Sequence, residues 1–427
     1  MNRDSLADWL AWQESLHWRS IDLGLTRLLR VYERLALSAF KFPVITVGGT
    51  NGKGSCVAML ASILRAGGYR VGTFTSPHLM RYNERIQIDD REISDASLIA
   101  AFERIEAVRG EESLTYFEFN TLAALLIFDT AGLDVAVLEV GMGGRLDTVN
   151  LVDADVALIT SIGLDHCEYL GTDLESIGRE KAGIFRPHRV AIYGSRAMPR
   201  SIADSARQIG TELRRLGVQF DYSRAADVWH WRGVASECRS LPAPGLIGDV
   251  QFDNAAAVLA VLEVLRQRLP VTAEAIASGL RSVQLPGRFQ VRLLQGVTWI
   301  FDVAHNPAAA DTLAARLAAM ASVGRTIAVC GIVGDKDIEG VVRSVTPQIQ
   351  HWIVAGLNSP RALSTAELGQ RIASAGATVA ATASTVAEAC ALARSEARAG
   401  DRVIVFGSFS TVGPALEWIE KVSNAGH

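Results

Sequence analysis

Two hydrophobic periods alternate along this chain. Short β-branched apolar runs end in glycine or a polar cluster, and stretches with apolar residues at helical spacing follow them. Strands are predicted from Val44 into a glycine-rich turn, then at 69–75, 134–140, 155–162 and 189–193. Helices are predicted between them, at 95–108, 119–131 and 172–182. Residues 1–40 read as helical, with Trp9, Trp12, Leu16, Leu25, Leu28 and Leu29 supplying apolar faces. The segment 84–88 followed by D-D-R-E reads as a hairpin. Strands alternating with helices argue for a mainly parallel sheet covered on both faces.

From 217 to 250 the texture breaks into turn-rich pieces around Trp229 and Trp231, which predicts small antiparallel strands. Helices follow at about 252–269 and 272–280, and the turn Pro286-Gly287 marks a boundary. Beyond it a second alternation begins, with strands at 298–303, 326–330, 351–355 and 402–406. Its helices fall at 308–320, 337–345, 365–375 and 386–399. The reading is α/β with two domains, 1–288 and 289–427, and no repeat at solenoid period.

Composition narrows the function classes. A net charge of −4 leaves no basic footprint, which argues against a nucleic-acid partner. Five cysteines without a C-x-x-C pair suit reduced thiols, not a disulfide framework. The acidic N-terminal stretch is unlike a signal peptide, and the most apolar segment, 122–140, is interrupted by Asp129 and Asp134. A cytoplasmic protein without a membrane partner is expected.

The turn after the first strand carries the chemistry. In V-I-T-V-G-G-T-N-G-K-G-S (44–55), Gly48, Gly49, Gly52 and Gly54 let several N–H groups face one anion. Val57, Leu60, Ala61 and Leu64 then open a helix, whose N-terminus adds partial positive charge. Lys53 can reach outer phosphates, and the hydroxyl of Ser55 or Thr50 can sit on magnesium. Gly54 separates the lysine from Ser55, unlike the usual phosphate loop, and an ordinary tight βα turn is the alternative.

Other polar residues cluster where strands end, the usual ligand edge of an open α/β sheet. Ser76 and His78 follow the second strand, Glu139 closes the third, and Asp165 and His166 follow the fourth. Glu139 in an apolar run is costly unless paired or metal-bound, and magnesium favours such an oxygen ligand. From residues alone His166 reads more readily as a capping or hydrogen-bonding group than as a ligand, and Lys181 as a solvated helix lysine. Arg288 at the domain junction could grip phosphate or form an ordinary ion pair. Asp302 closes a strand, the usual place for a ribose-binding carboxylate.

The motifs G-T-N-G-K-G-S, T-S-P-H-L, L-T-Y-F-E, L-E-V-G-M-G-G-R-L-D, S-I-G-L-D-H, G-R-E-K-A-G-I-F, L-P-G-R-F, D-V-A-H-N-P and F-G-S-F appear in that order from 49 to 409. The series resembles the dihydrofolate synthase/folylpolyglutamate synthase family, kin to the Mur ligases. The resemblance implies a P-loop Mur-ligase-like ATPase domain plus a smaller Rossmann-like C-terminal α/β domain, in a monomer. It implies an ATP-dependent C–N ligase joining L-glutamate to dihydropteroate or to a reduced folate through an acyl phosphate.

By the same resemblance, Gly49, Thr50, Asn51, Gly52, Lys53, Gly54 and Ser55 cradle ATP, with Asn254 on the adenine side and Arg288 and Asp302 at the nucleotide. Two magnesium sites draw on Ser55, Ser76, Glu139, His166 and Lys181, the last carbamylated. Catalysis falls to Lys53, Glu139, His166, Lys181 and Arg288. The pterin segments are Asp22, Leu23, Gly24 and Leu25; Thr115, Tyr116, Phe117 and Glu118; and Leu146, Asp147 and Thr148. Phe117 offers a stacking face and Asp147 a carboxylate for the amino-pyrimidine edge. His305 and Ser408 belong to the glutamate side. The chain reads D-T-V-N at 147–150, where the family more often reads D-A-T-N. Rival readings are a Mur-type UDP-muropeptide ligase, for which 40 residues before the loop leave little room, a nucleotide-gated ATPase switch, and a P-loop kinase.

Overall fold

The computed structural model describes residues 3–19, 21–37, 40–225, 228–320 and 324–425. Two compact units divide it. One comprises Met1–His78, Tyr82–Gly245 and Gln251–Gln284; the other comprises Leu79–Arg81, Leu246–Val250 and Leu285–His427. The main crossing thus falls after Gln284, four residues before the boundary expected at 288, and two short segments join the second unit out of sequence.

The first unit is built on an eight-stranded sheet. Its strands are β1 (Val44–Gly48), β2 (Val71–Phe74), β3 (Ile86–Ile88), β4 (Arg91–Glu92), β5 (Val135–Glu139), β6 (Val156–Ile159), β7 (Val190–Tyr193) and β8 (Glu212–Arg215). Their order is β4-β3-β2-β5-β1-β6-β7-β8. From β2 to β8 every pairing is parallel, while β3 and β4 form the antiparallel hairpin read from the sequence. β1 lies between β5 and β6, so the loops leaving all three open side by side at one edge. In β1, β2, β5 and β6 every residue is buried, as expected of parallel strands covered on both faces.

The expected continuous helical stretch 1–40 is two helices, Leu6–Leu16 and Thr26–Leu35, separated by a non-helical segment. A capping box of Ser5 and Asp8 starts the first. Positions 1, 2, 20, 38 and 39 of that reading lie outside the described residues. The expected turn-rich region contains a three-stranded antiparallel sheet, β9 (Asp221–Ala225), β10 (Val228–Arg232) and β11 (Glu237–Pro242), with β10 central. Within that region, positions 226 and 227 lie outside the described residues.

The second unit holds a six-stranded sheet of β12 (Gln290–Leu294), β13 (Val297–Asp302), β14 (Thr326–Cys330), β15 (His351–Ala355), β16 (Val379–Ala383) and β17 (Arg402–Phe406). The order is β12-β13-β17-β14-β15-β16, and only β12 runs antiparallel. Alternate residues feed two cores. Ile300, Ala328, Trp352 and Ile404 pack on one side, and Phe301, Ile327, Ile353 and Val403 on the other. A two-sided apolar sheet of this kind is what a doubly wound fold requires. Among the described residues no helix is long and apolar enough to cross a membrane.

Candidate functional site

The loop after β1 is shaped by close approach. Gly49 has φ 138°, and a Cβ there would lie 1.9 Å from Thr160 Oγ1. Gly52 has φ 89° and caps a helix that starts at Lys53, with Cys56 N donating to Gly52 O at 3.0 Å. The loop after β6 braces this turn. Thr50 N donates to Ser161 O (2.8 Å), and Thr160 Oγ1 donates to Asn51 O (2.6 Å). Asn254 packs against Gly52 from outside, its amide held by Gln251 Oε1 at 2.9 Å. Neither Thr160 nor Gln251 carries a sequence signal, because their roles come from tertiary contact.

Two ammonium groups converge on one carbonyl. Lys53 Nζ donates to Gly49 O (3.1 Å) and to Thr50 O (3.2 Å), and Lys181 Nζ donates to Gly49 O (2.9 Å). Lys181 is 5% exposed, so it is not the solvated helix lysine that its residues alone suggest. Burial first, and the nearby charge of Lys53 second, pull its amine down to about 7, against the opposing pull of Asp165 and Asp147. Two lysine amines, Lys181 buried and Lys53 part-buried, are thus gathered at the glycine loop.

Glu139 ends β5 and is buried. Its Oε2 accepts from Ser76 N at 3.3 Å, so the structure brings these two expected metal ligands together across the β2–β5 pair. Ser55 is buried in the first turn of its helix. His166 adopts a left-handed backbone (φ 51°), caps the short helix Cys167–Leu170, and is partly exposed beside Asp165. Among the described residues no three His, Cys, Asp or Glu side chains form a ready metal cage. That donor set suits magnesium, which takes one or two carboxylates and completes its shell with water and phosphate.

The three segments expected to hold a pterin are joined by hydrogen bonds. Thr115 and Glu118 form a capping box at the start of the helix Tyr116–Thr130. Phe117 stacks on Phe74 with centroids 5.8 Å apart, and a Cβ on Gly141 would meet its ring at 2.5 Å. Asp147 is buried and accepts from Met142 N (2.8 Å) and Val149 N (3.0 Å). Burial raises its carboxyl to about 6, despite those amides and the charge of Lys53. Thr148 shares a hydrogen bond with Thr121 (2.5 Å), so it faces the helix.

Arg27, which no motif marks, ties the segment 21–25 to that helix. It pairs with Asp22 and donates to both oxygens of the buried Glu118, at 3.0 and 3.3 Å. Replacing Arg27 by methionine leaves that carboxylate buried without its cation. The expected cost is about 3 kcal/mol, at the low end for a broken buried pair because Arg27 is itself partly exposed. Urea unfolding checks it, and adding Glu118→Gln to the variant is expected to restore most of the loss.

In the second unit Arg288 lies 5.2 Å from the ring centroid of Phe409. Asp302, at the end of β13, accepts from Phe289 N and Ala304 N, both at 2.9 Å. Burial raises its carboxyl, opposed by Arg288 and Arg316. His305 Nδ1 donates to Val303 O (2.8 Å). Ser408 shares a hydrogen bond with Thr411 (2.7 Å).

The chain is similar to known proteins along nearly its whole length. Residues 47–262 match the Mur ligase middle domain, and residues 287–409 match the Mur ligase glutamate ligase domain. The chain is 44% identical over 421 residues to the dihydrofolate synthase/folylpolyglutamate synthase of Escherichia coli, covering 99% of this chain and 97% of that protein. The solved structure of E. coli FolC in complex with DHPP and ADP superposes with a TM-score of 0.92 at 44% identity, covering 98% of this chain and 99% of that one. The bifunctional folylpolyglutamate synthase/dihydrofolate synthase of Yersinia pestis, complexed with AMPPNP and Mn ion, gives 0.89 at 45% identity, with 98% of each chain covered.

Proposed function

Since the chain belongs to the dihydrofolate synthase/folylpolyglutamate synthase family of Mur ligases, we propose a residue-level mechanism for it. The protein is an ATP-dependent ligase that adds glutamate to folates, and it binds ATP and a divalent metal. The carboxylate of dihydropteroate attacks the γ-phosphorus of ATP, ADP leaves, and an acyl phosphate forms. The amine of L-glutamate then attacks the acyl carbon, loses its proton, and expels phosphate to give dihydrofolate. With a reduced folate as acceptor the same steps lengthen a polyglutamate tail.

The observation that carries this reading is the convergence of Lys53 and Lys181 on Gly49 within a braced glycine loop. Gly49 to Ser55 receive the phosphates, Lys53 neutralises charge that develops on the transferred group, and Asn254 flanks the adenine. Arg288 adds a second positive charge to the phosphates, and Asp302 takes the nucleotide's hydroxyl edge. Phe117 stacks on the pterin, Asp147 accepts from its amino-pyrimidine edge, and residues 22–25, 115–118 and 146–148 line it. His305 and Ser408 orient the glutamate.

Ser55, Ser76, Glu139, His166 and carbamylated Lys181 would hold two magnesium ions, which supply neutralisation of phosphate charge when bound. The lowered amine of Lys181 supports its modification. The neutral form of the amine can attack carbon dioxide, release one proton, and become the carboxylate that magnesium favours.

Phosphate release with purified protein and MgATP tests the reading. Release that needs both L-glutamate and dihydropteroate is expected. Release without an acceptor would support an ATPase switch instead, and release dependent on a UDP-muropeptide would support a Mur-type ligase.

A further inference from the structure

His78 follows β2, and the proposed mechanism gives it no task. Its surroundings assign one. The hairpin returns the chain so that Thr75 N donates to Arg85 O (2.9 Å), with Phe74 paired to Ile86 one step earlier. Arg85 therefore starts directly beside the T-S-P-H turn. Its Nε donates to His78 Nδ1 at 2.8 Å. A guanidinium has donors only, so Nδ1 must offer its lone pair. The ring is then neutral and carries its one proton on Nε2.

The arginine is fixed in that act. It is 8% exposed, and its guanidinium lies 5.6 Å from the ring centroid of Tyr82 and 5.5 Å from that of Tyr116. His78 itself is only half-buried, and among the described residues its Nε2 meets no hydrogen-bond partner. The loop that bears it is tied at Ser76 to Glu139, at the end of the strand beside β1. Through Arg85 it also touches Tyr116, the neighbour of Phe117. The loop of His78 is thus tied to the phosphate end of the proposed acceptor site, and its partner Arg85 reaches the helix of the ring end.

The sign of the group behind the imidazole decides its chemistry. A carboxylate at Nδ1 makes the far nitrogen a base, as in serine-protease triads. A cation at Nδ1 does the reverse. It disfavours protonation of the ring and polarises Nε2–H toward an anion, leaving a neutral donor of the electrophilic kind. We propose that His78 donates from Nε2 to the oxygen that becomes anionic on the acyl carbon when glutamate attacks. Arg85 is the positioning residue that fixes the required tautomer. No bond is broken in this step, and the proton stays on Nε2. The assignment rests on the folate-ligase reading above.

Three single variants, one double variant and one spectrum test it. His78→Phe keeps a ring and removes the donor; His78→Gln places an amide N–H where Nε2–H stood; Arg85→Met removes the cation. His78→Phe is expected to lower kcat about 100-fold, the scale for losing one donor to an oxyanion. ADP binding and the KM for dihydropteroate stay within about twofold of wild type, since the donor acts on charge absent from the ground state. His78→Gln recovers about tenfold or more of the lost kcat through the same donor geometry. The double variant His78→Phe/Arg85→Met is no slower than His78→Phe alone, because both changes remove one interaction.

Nitrogen-15 NMR of labelled wild-type protein is expected to find His78 as the neutral Nε2–H tautomer, whatever the fate of the Arg85 variant. A proton on Nδ1, or a His78→Phe enzyme with near wild-type kcat, would overturn the assignment. So would losses from the two single changes that multiply in the double variant. Wild-type turnover that does not depend on glutamate would instead defeat the ligase reading, which separates the two failures.

Discussion

Lys53→Ala is expected to reduce glutamate-dependent turnover on the order of 1000-fold, the upper range for removing one preorganised charge from a phosphoryl-transfer site. The side chain folds back on the carbonyls of Gly49 and Thr50, so its head is held at the loop before nucleotide arrives. Those carbonyls belong to a turn that Thr160 and Ser161 brace independently, so the variant should fold. Circular dichroism that matches wild type, with kcat lost, is the expected pair of results. Lys53→Arg recovers little, because a planar fork does not fit a position shaped for a point charge.

Lys181 carries the second large effect. Lys181→Met is expected to lower kcat by on the order of 1000-fold, since the proposed site of carbamylation disappears. The wild-type side chain makes the pH sign explicit. With its amine at about 7, only about a tenth is neutral at pH 6 and about nine-tenths at pH 8. The proposed carbamate is therefore expected to form as pH rises through 7. Protein stripped of bicarbonate at pH 6 is expected to be inactive, and to regain activity with added bicarbonate at pH 8. Intact mass should rise by one carbon dioxide in step. The unmodified lysine also burdens folding. Its folded value lies below the ordinary 10.5, so the unfolded chain binds more protons between the two, and stability rises with pH across that window. Lys181→Met removes that slope, which urea titrations at pH 7 and 9 would detect.

Parts of this arrangement are legible in residue order because local physics sets them. β14, β15 and β17 are short β-branched runs buried on both faces, and their predicted limits agree with the structure. The glycine loop is likewise readable, since strand, turn and helix are contiguous. Elements whose burial pattern is weak escaped. β12 and β16 lie at the two edges of their sheet with alternating or exposed positions. The helices Arg200–Ile209 and Phe409–Ala425 were not predicted; the second carries Pro414 in its interior, which ordinarily signals a break. Lys181, Arg27 and Arg85 show the harder limit. Lys181 meets Gly49 and Arg27 meets Glu118 only across long stretches of chain, and Arg85 meets His78 only because the β3 hairpin turns back. Resemblance to a ligase family drew attention to Lys181, but not to the two arginines.

Oxygen transfer tests the central claim most directly. Dihydropteroate labelled with oxygen-18 in its carboxyl group is ligated to L-glutamate with unlabelled ATP, and the released phosphate is analysed by mass. Direct attack of that carboxylate on the γ-phosphorus predicts one labelled oxygen in each phosphate. Phosphate released without the label would mean that water takes the phosphoryl group, and the mechanism drawn from the lysine-lined loop would be wrong.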